Sequence, residues 1–126
     1  MNAPAIAGEL LGLLQRAAED AARLTPALRR LEAPALLDWV AEREAVRERA
    51  RVLERQLRAT LDDGPRPEAI AAQLAAIRRE AARLRFVDAE NAALAARTLR
   101  CVRGYAHALA PTPEAYDRRG LARGAP

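Results

Sequence analysis

"PEAIAAQLAAIRREAARLRFVDAENAALAARTLRCVRGYAHAL", residues 67–109, decides the fold. After Pro67 it contains no proline, and its first glycine is Gly104, so as one unbroken helix at 1.5 Å per residue it would extend roughly 60 Å. Its apolar residues Ile70, Leu74, Ile77, Ala81 and Leu84 recur every three or four positions, the period of a helix with one buried face. Beyond Leu84 the seam has two continuations. One passes through Asp88, Asn91 and Ala95; the other is shifted through Val87, Asn91, Leu94, Thr98, Cys101 and Tyr105. The shifted path keeps apolar contact and implies a local change of twist near Phe86. Asn91 lies on both, where a buried amide either fixes helix register at some cost in stability or contacts a ligand.

Upstream, "LDDGPRPE" (61–68) is the clearest break in the chain. Before it, Leu36, Trp39, Val46, Ala50, Leu53 and Leu57 form a heptad-like seam with Arg43 at its one charged position. "AEREAVRERARVLERQLR" (41–58) sets opposite charges three and four residues apart, which predicts a solvated face braced by pairs within the helix. Pro34 in "EAPALLDW" (32–39) marks where this helix starts. The first segment carries Ile6, Leu10, Leu13, Leu14, Ala17, Ala21, Leu24, Leu28 and Leu31 at helical spacing, and Pro26 within it signals a kink, or a restart capped by Thr25.

These readings predict an all-α fold with helices near 4–31, 35–62 and 67–109, a bundle domain over 1–110 and a flexible tail over 111–126. Two long segments on a short connection pack as an elongated antiparallel hairpin with coiled-coil-like contacts, the first helix completing a three-helix bundle from the groove at one end. The third helix outruns the first. Its C-terminal part is therefore expected to project an apolar stripe of Leu94, Thr98, Cys101, Val102, Tyr105 and Leu109.

Half of the chain, 51%, is hydrophobic and 30% is charged, which excludes disorder as its general state. Much of the apolar share is alanine, so the core is thin and stability comes from long helix seams. All 21 basic residues are arginine, and residues 1–96 balance 15 of them against 15 acids. Residues 97–126 hold six Arg against Glu114 and Asp117, so the whole excess of +4 lies there. That excess suits an acidic partner, while Arg97, Arg100 and Arg103 also complement the negative end of the last helix. A lone cysteine excludes an internal disulfide. The opening "MNAPAIAGELLGLL" has no basic n-region and no apolar run reaches the length of a membrane span, so the expectation is a cytoplasmic protein without membrane insertion.

Catalytic chemistry needs convergent polar groups, and the sequence offers few. His107 has no nucleophile, glycine-rich loop or second ligand beside it, and is read as exposed or capping helix carbonyls. Cys101 stands between Arg100 and Arg103, the setting of a reactive thiol, but its place on the apolar face favours a small packing residue. Trp39 on the seam is read as core. The Glu/Arg pairs are too evenly spread to single out an acid/base dyad. No catalytic residue, cofactor or metal is expected. "RTLRCVRGYAHALAPTPEAYDRRG" (97–120) interleaves aromatics with arginines, but with too few aromatics for a nucleic-acid stacking platform.

A long helix with Asn91 in its second half, apolar residues at Leu94, Leu99, Val102 and Leu109, then a polar tail ending in "YDRRG" (Tyr116–Gly120), resembles the FlgN family of flagellar export chaperones. The leucine-rich first helix, the break near "RRLEAPALLDWV" (29–40) and the charged second helix are similar to that family's organisation. The Ala-rich connection "AHALAPTPEA" (106–115) and the Arg-dense ending "RRGLARGAP" (118–126) depart from it. The resemblance implies a cytoplasmic, non-enzymatic chaperone of type III export that binds the C-terminal helices of hook-filament junction proteins, prevents their premature assembly and delivers them to the export apparatus. Its contact residues here would be Leu94, Thr98, Cys101, Val102, Tyr105, Leu109 and Tyr116, with the two tyrosines as anchors. Two other readings compete. One is a coiled-coil adapter or other secretion-apparatus component with contacts spread along the second and third helices, and the other a small nucleic-acid-binding helical protein. A homodimer through the exposed stripe is also open to such a chain.

Overall fold

The computed structural model describes residues 2–64 and 68–110, and these form three helices. They are α1 (Ala3–Arg29), α2 (Ala33–Asp62) and α3 (Glu68–Leu109), with no strand among the described residues. The expected all-α three-helix bundle is the fold. Contacts between Pro4 and Gln73 at one end of α1, and between Thr25 and Asn91 near the other, make α1 and α3 run parallel. α2 runs antiparallel to both, Arg49 meeting Glu9 and Trp39 meeting Asp88.

The order of packing differs from the expected hairpin. α1 is the central helix, packed along its length on both α2 and α3, while α2 and α3 scarcely touch. Composition explains it. α1 buries small residues, among them Ala3, Ala7, Ala18 and Ala21, besides Ile6, Leu10, Leu14 and Leu28, so two helices approach it closely. α2 is too densely charged to bury two faces, and only Ala35, Trp39, Leu53 and Leu57 are buried along it.

Local rules fix the ends. Asn2 accepts the Ala5 N–H at 2.9 Å as N-cap of α1, with Pro4 in the first turn where its missing N–H has no cost. α1 then runs through Pro26 without a break, so no restart occurs. The Ala22 carbonyl that loses its partner belongs to an exposed residue and can bond water. Thr25 serves the core instead of a cap, donating its hydroxyl to Asn91 Oδ1 at 2.6 Å. α1 closes where the Leu31 N–H bonds Leu28 O and the Glu32 N–H bonds Ala27 O, a Schellman closure. That closure puts Leu31 at φ 60°, in the left-handed region usually held by glycine.

Apolar residues gather in two clusters. One joins Ile6, Leu10 and Leu14 of α1 to Leu53 and Leu57 of α2 and Ile70 of α3. The other joins Leu28, Ala35, Trp39 and Ala95 at the opposite end. Between them the layer is alanine and polar. Asn91 is fully buried there, donating to Ala21 O at 2.9 Å while accepting from Thr25, so both ends of its amide are engaged within the bundle. This is the register role expected of Asn91.

The seam of α3 follows the unshifted path. Asn91, Ala95 and Thr98 are buried, continuing the spacing from Ile70 through Asp88, and Phe86 is exposed with no shift of the seam around it. A carboxylate is tolerated on the seam because Asp88 accepts the Trp39 indole N–H at 3.2 Å and faces Arg43 at 3.8 Å. Arg43 also lies over the Trp39 ring, 5.3 Å from its centroid, so the charged seam position of α2 is satisfied locally. The bracing expected within α2 is replaced by ion pairs between helices: Arg43 reaches Asp88 on α3 and Arg49 reaches Glu9 on α1. Fully exposed pairs on one helix are worth little, and a partly sheltered acid on a neighbour competes well with them.

Candidate partner-docking site

The residue at which α3 leaves the bundle is set by the length of α1. Thr98 is the last buried residue of α3 and bonds Leu94 O at 3.0 Å through its hydroxyl. From Leu99 onward every described residue is exposed, while the helix continues to Leu109. At 1.5 Å per residue about 15 Å of α3 stand beyond the end of its partner helix. The alternation of four and three residues that buries Asn91, Ala95 and Thr98 continues without interruption into Val102, Tyr105 and Leu109. These three are 51%, 70% and 68% exposed, so a coiled-coil seam runs out of partner before it runs out of apolar residues.

Of the residues expected in the stripe, four come together on this projection: Cys101, Val102, Tyr105 and Leu109. Two do not. Leu94 packs beside Leu28 and Trp39 in the second apolar cluster and Thr98 is fully buried, so both belong to the bundle. They lie where α1 still covers α3, which the length of α1 past Pro26 decides. Cys101 is exposed, contrary to its reading as a packing residue. His107 is exposed, one of the two outcomes expected of it. Tyr116 and the tail over 111–126 lie outside the described residues.

Sequence reading missed two residues at the same end of the molecule. Leu37 and Val40, near the start of α2, are 70% and 52% exposed. Their signal was present, since neither fits the Leu36, Trp39, Val46 seam, and an apolar residue off the seam of a charged helix has no intramolecular use. They share the bundle end with the base of the projection, because Ala35 and Trp39 beside them pack with Ala95.

A second feature lies along the flank. Where α2 and α3 diverge over the alanine layer, a cleft of about 410 Å³ opens, with Leu14, Ala17 and Ala21 of α1 as its floor. Trp39 and Asp88, joined by their hydrogen bond, are among its walls, with Val46 and Ala50 of α2 and Leu84 of α3. Arg43, Arg47 and Arg85 on its rim are matched by Asp20, Glu42 and Asp88, so it carries no net charge preference. It follows from alanines too small to fill the gap between two diverging helices.

Among the described residues no group of three or more His, Cys, Asp or Glu side chains is placed to hold a metal ion. No helix among them is long and apolar enough to cross a membrane. No family model matches the chain, and no curated protein or solved structure matches it.

Proposed function

We propose that this protein is a non-enzymatic, cytoplasmic export chaperone of the FlgN kind, which holds an amphipathic helix of its cargo on the projecting end of α3. The observation that carries this reading is the seam that outlasts its partner: Val102, Tyr105 and Leu109 continue the buried positions Asn91, Ala95 and Thr98 in register but face solvent. An apolar row at helix spacing is what an incoming helix reads in a groove or along a seam. A cargo terminus that is unstructured before assembly would fold on this row, and Tyr105 would give large contact area at little rotamer cost. The cargo class, the C-terminal helices of hook-filament junction proteins, rests on the resemblance of residues 91–120.

Isothermal titration of the full chain with the isolated C-terminal segments of the same organism's hook-filament junction proteins tests it. Saturable binding in the low micromolar range or tighter is expected, and Tyr105→Ala with Leu109→Ala should abolish it while leaving the melting transition in place, because both side chains are exposed. Absence of binding by the folded chain would refute the cargo assignment. A second reading, a coiled-coil adapter of a secretion apparatus, draws on the open flank between α2 and α3. It predicts that a partner protects α2 and α3 from proteolysis along their length, and leaves binding intact in the Tyr105/Leu109 variant.

A further inference from the structure

We infer that the helix received by the α3 projection is flanked by acidic residues, an inference that rests on the docking role proposed above and adds the chemistry of the partner. At about 100° per residue, Leu99, Val102, Tyr105 and Leu109 share one half of the helix circumference, with Cys101 near one border. Arg97 falls beside the Cys101 border and Arg103 beside the Leu99 border, while Arg100 and His107 lie opposite the stripe. From Asn91 to Ala110 there is no acidic residue at all. None of Arg97, Arg100 and Arg103 takes part in an ion pair among the described residues, whereas Arg29, Arg43 and Arg49 in the body of the bundle each pair across helices. The balanced charge of residues 1–96 therefore gives way, at the point where α1 ends, to an unneutralised cationic border on an apolar seam.

Two features decide the occupant. The stripe continues the α1/α3 interface in the same register, so the surface presented is a coiled-coil seam, suited to a helix in line with α1. Its arginine borders disfavour a second copy of the same projection, since two such segments would bring the four border arginines, Arg97 and Arg103 of each copy, together with no acid between Asn91 and Ala110 to neutralise them. A helix bearing Glu or Asp on either side of an apolar row meets Arg97 and Arg103 with opposite charge, and such rim charges act chiefly on encounter and partner choice.

The test uses the full chain and synthetic three-heptad peptides with Leu at the seam positions and Glu, Gln or Lys at the flanks. Affinity is measured by titration and the site by protection of Cys101 from alkylation, since that thiol is exposed at the stripe border. The Glu peptide should bind at least about tenfold tighter than the Gln peptide at low salt, the ratio shrinking as salt screens the borders, with Lys weakest. Arg97→Gln with Arg103→Gln should remove the preference and keep the binding of the Gln peptide. Equal binding of all three peptides with Cys101 protected would overturn the acidic partner and leave helix docking standing. If no peptide binds and Cys101 stays reactive, both this inference and the docking role are overturned. Protection of Cys101 by anionic phosphatidylglycerol vesicles but not by the Glu peptide would assign the stripe to a lipid surface, and concentration-dependent dimerisation through it to a second copy; either overturns the proposal.

Discussion

Thr25→Val should destabilise this protein more than Asn91→Leu does, although Asn91 is the more deeply buried of the two. Asn91 is fully buried, donating to Ala21 O at 2.9 Å and accepting from the Thr25 hydroxyl at 2.6 Å. Valine keeps the shape of Thr25 but leaves Asn91 Oδ1 without a donor where water has no access, which costs about 1–3 kcal/mol. With leucine at 91 the Thr25 hydroxyl still has Ala21 O, 3.3 Å away, so the loss is about 1 kcal/mol, offset in part by apolar burial. In the double variant both partners are gone and Ala21 O keeps its helical bond, so the cost should stay within about 1 kcal/mol of the parent. The cycle then gives a coupling of about 1–2 kcal/mol. With a urea slope near 2 kcal/mol per molar, a 2 kcal/mol loss in Thr25→Val lowers the midpoint by about 1 M at unchanged slope. A midpoint for Asn91→Leu below that of Thr25→Val, or additive single effects, would refute the reasoning. The double variant has a second readout. Without the polar pair the α3 seam is free to slide one heptad along α1, placing Thr98 where Asn91 was and covering Val102, so alkylation of Cys101 should slow.

Two further outcomes follow from single contacts. Trp39→Phe removes the donor to Asp88 and leaves that carboxylate with Arg43 alone, so stability should fall by about 1–2 kcal/mol in a denaturant titration, with the Trp39 fluorescence signal replaced by circular dichroism. Gly104→Ala, at a helical position where an added Cβ meets nothing within 4 Å, should favour helix in the projection by about 1 kcal/mol and raise the helical signal without weakening partner binding.

Much of this architecture was legible because heptad spacing survives even when the apolar residue is alanine. The helix limits near Pro34 and Pro67 and the register role of Asn91 came from local rules that tertiary packing left intact. The identity of the central helix did not, because periodicity says that a helix has a buried face without saying how many neighbours share it. For α1 the signal was small residues beside the leucine row, Ala7, Ala17, Ala18 and Ala21, which widen one buried stripe into two. The unshifted seam at Asp88 was hidden for a different reason: a carboxylate reads as solvent-facing until its partners, Trp39 and Arg43, are brought in from a helix some fifty positions away in the chain. The projection was legible in kind and misplaced by about two turns. Leu94 and Thr98 are covered because α1 runs through Pro26, and no rule for the isolated segment decides whether proline ends a helix when the carbonyl it orphans can face water.

The same seam accounts for both the stability of the bundle and the surface it offers. A chain that needed only to fold could have ended α3 at Thr98, where the last buried contact is made, or carried polar residues beyond it. Instead Val102, Tyr105 and Leu109 keep the spacing for three more turns, and Leu37 and Val40 add exposed apolar area at the same end of the molecule. Large exposed apolar residues scattered singly are ordinary, but residues in heptad register with a buried interface are not scattered. Phe86, equally exposed but off the seam and alone, marks the contrast. What distinguishes the projection is therefore its register, and a partner that matched its hydrophobicity without matching that spacing would gain little from it. A cargo peptide whose apolar residues are permuted off the four-and-three alternation, at constant composition, should accordingly lose binding to the α3 stripe.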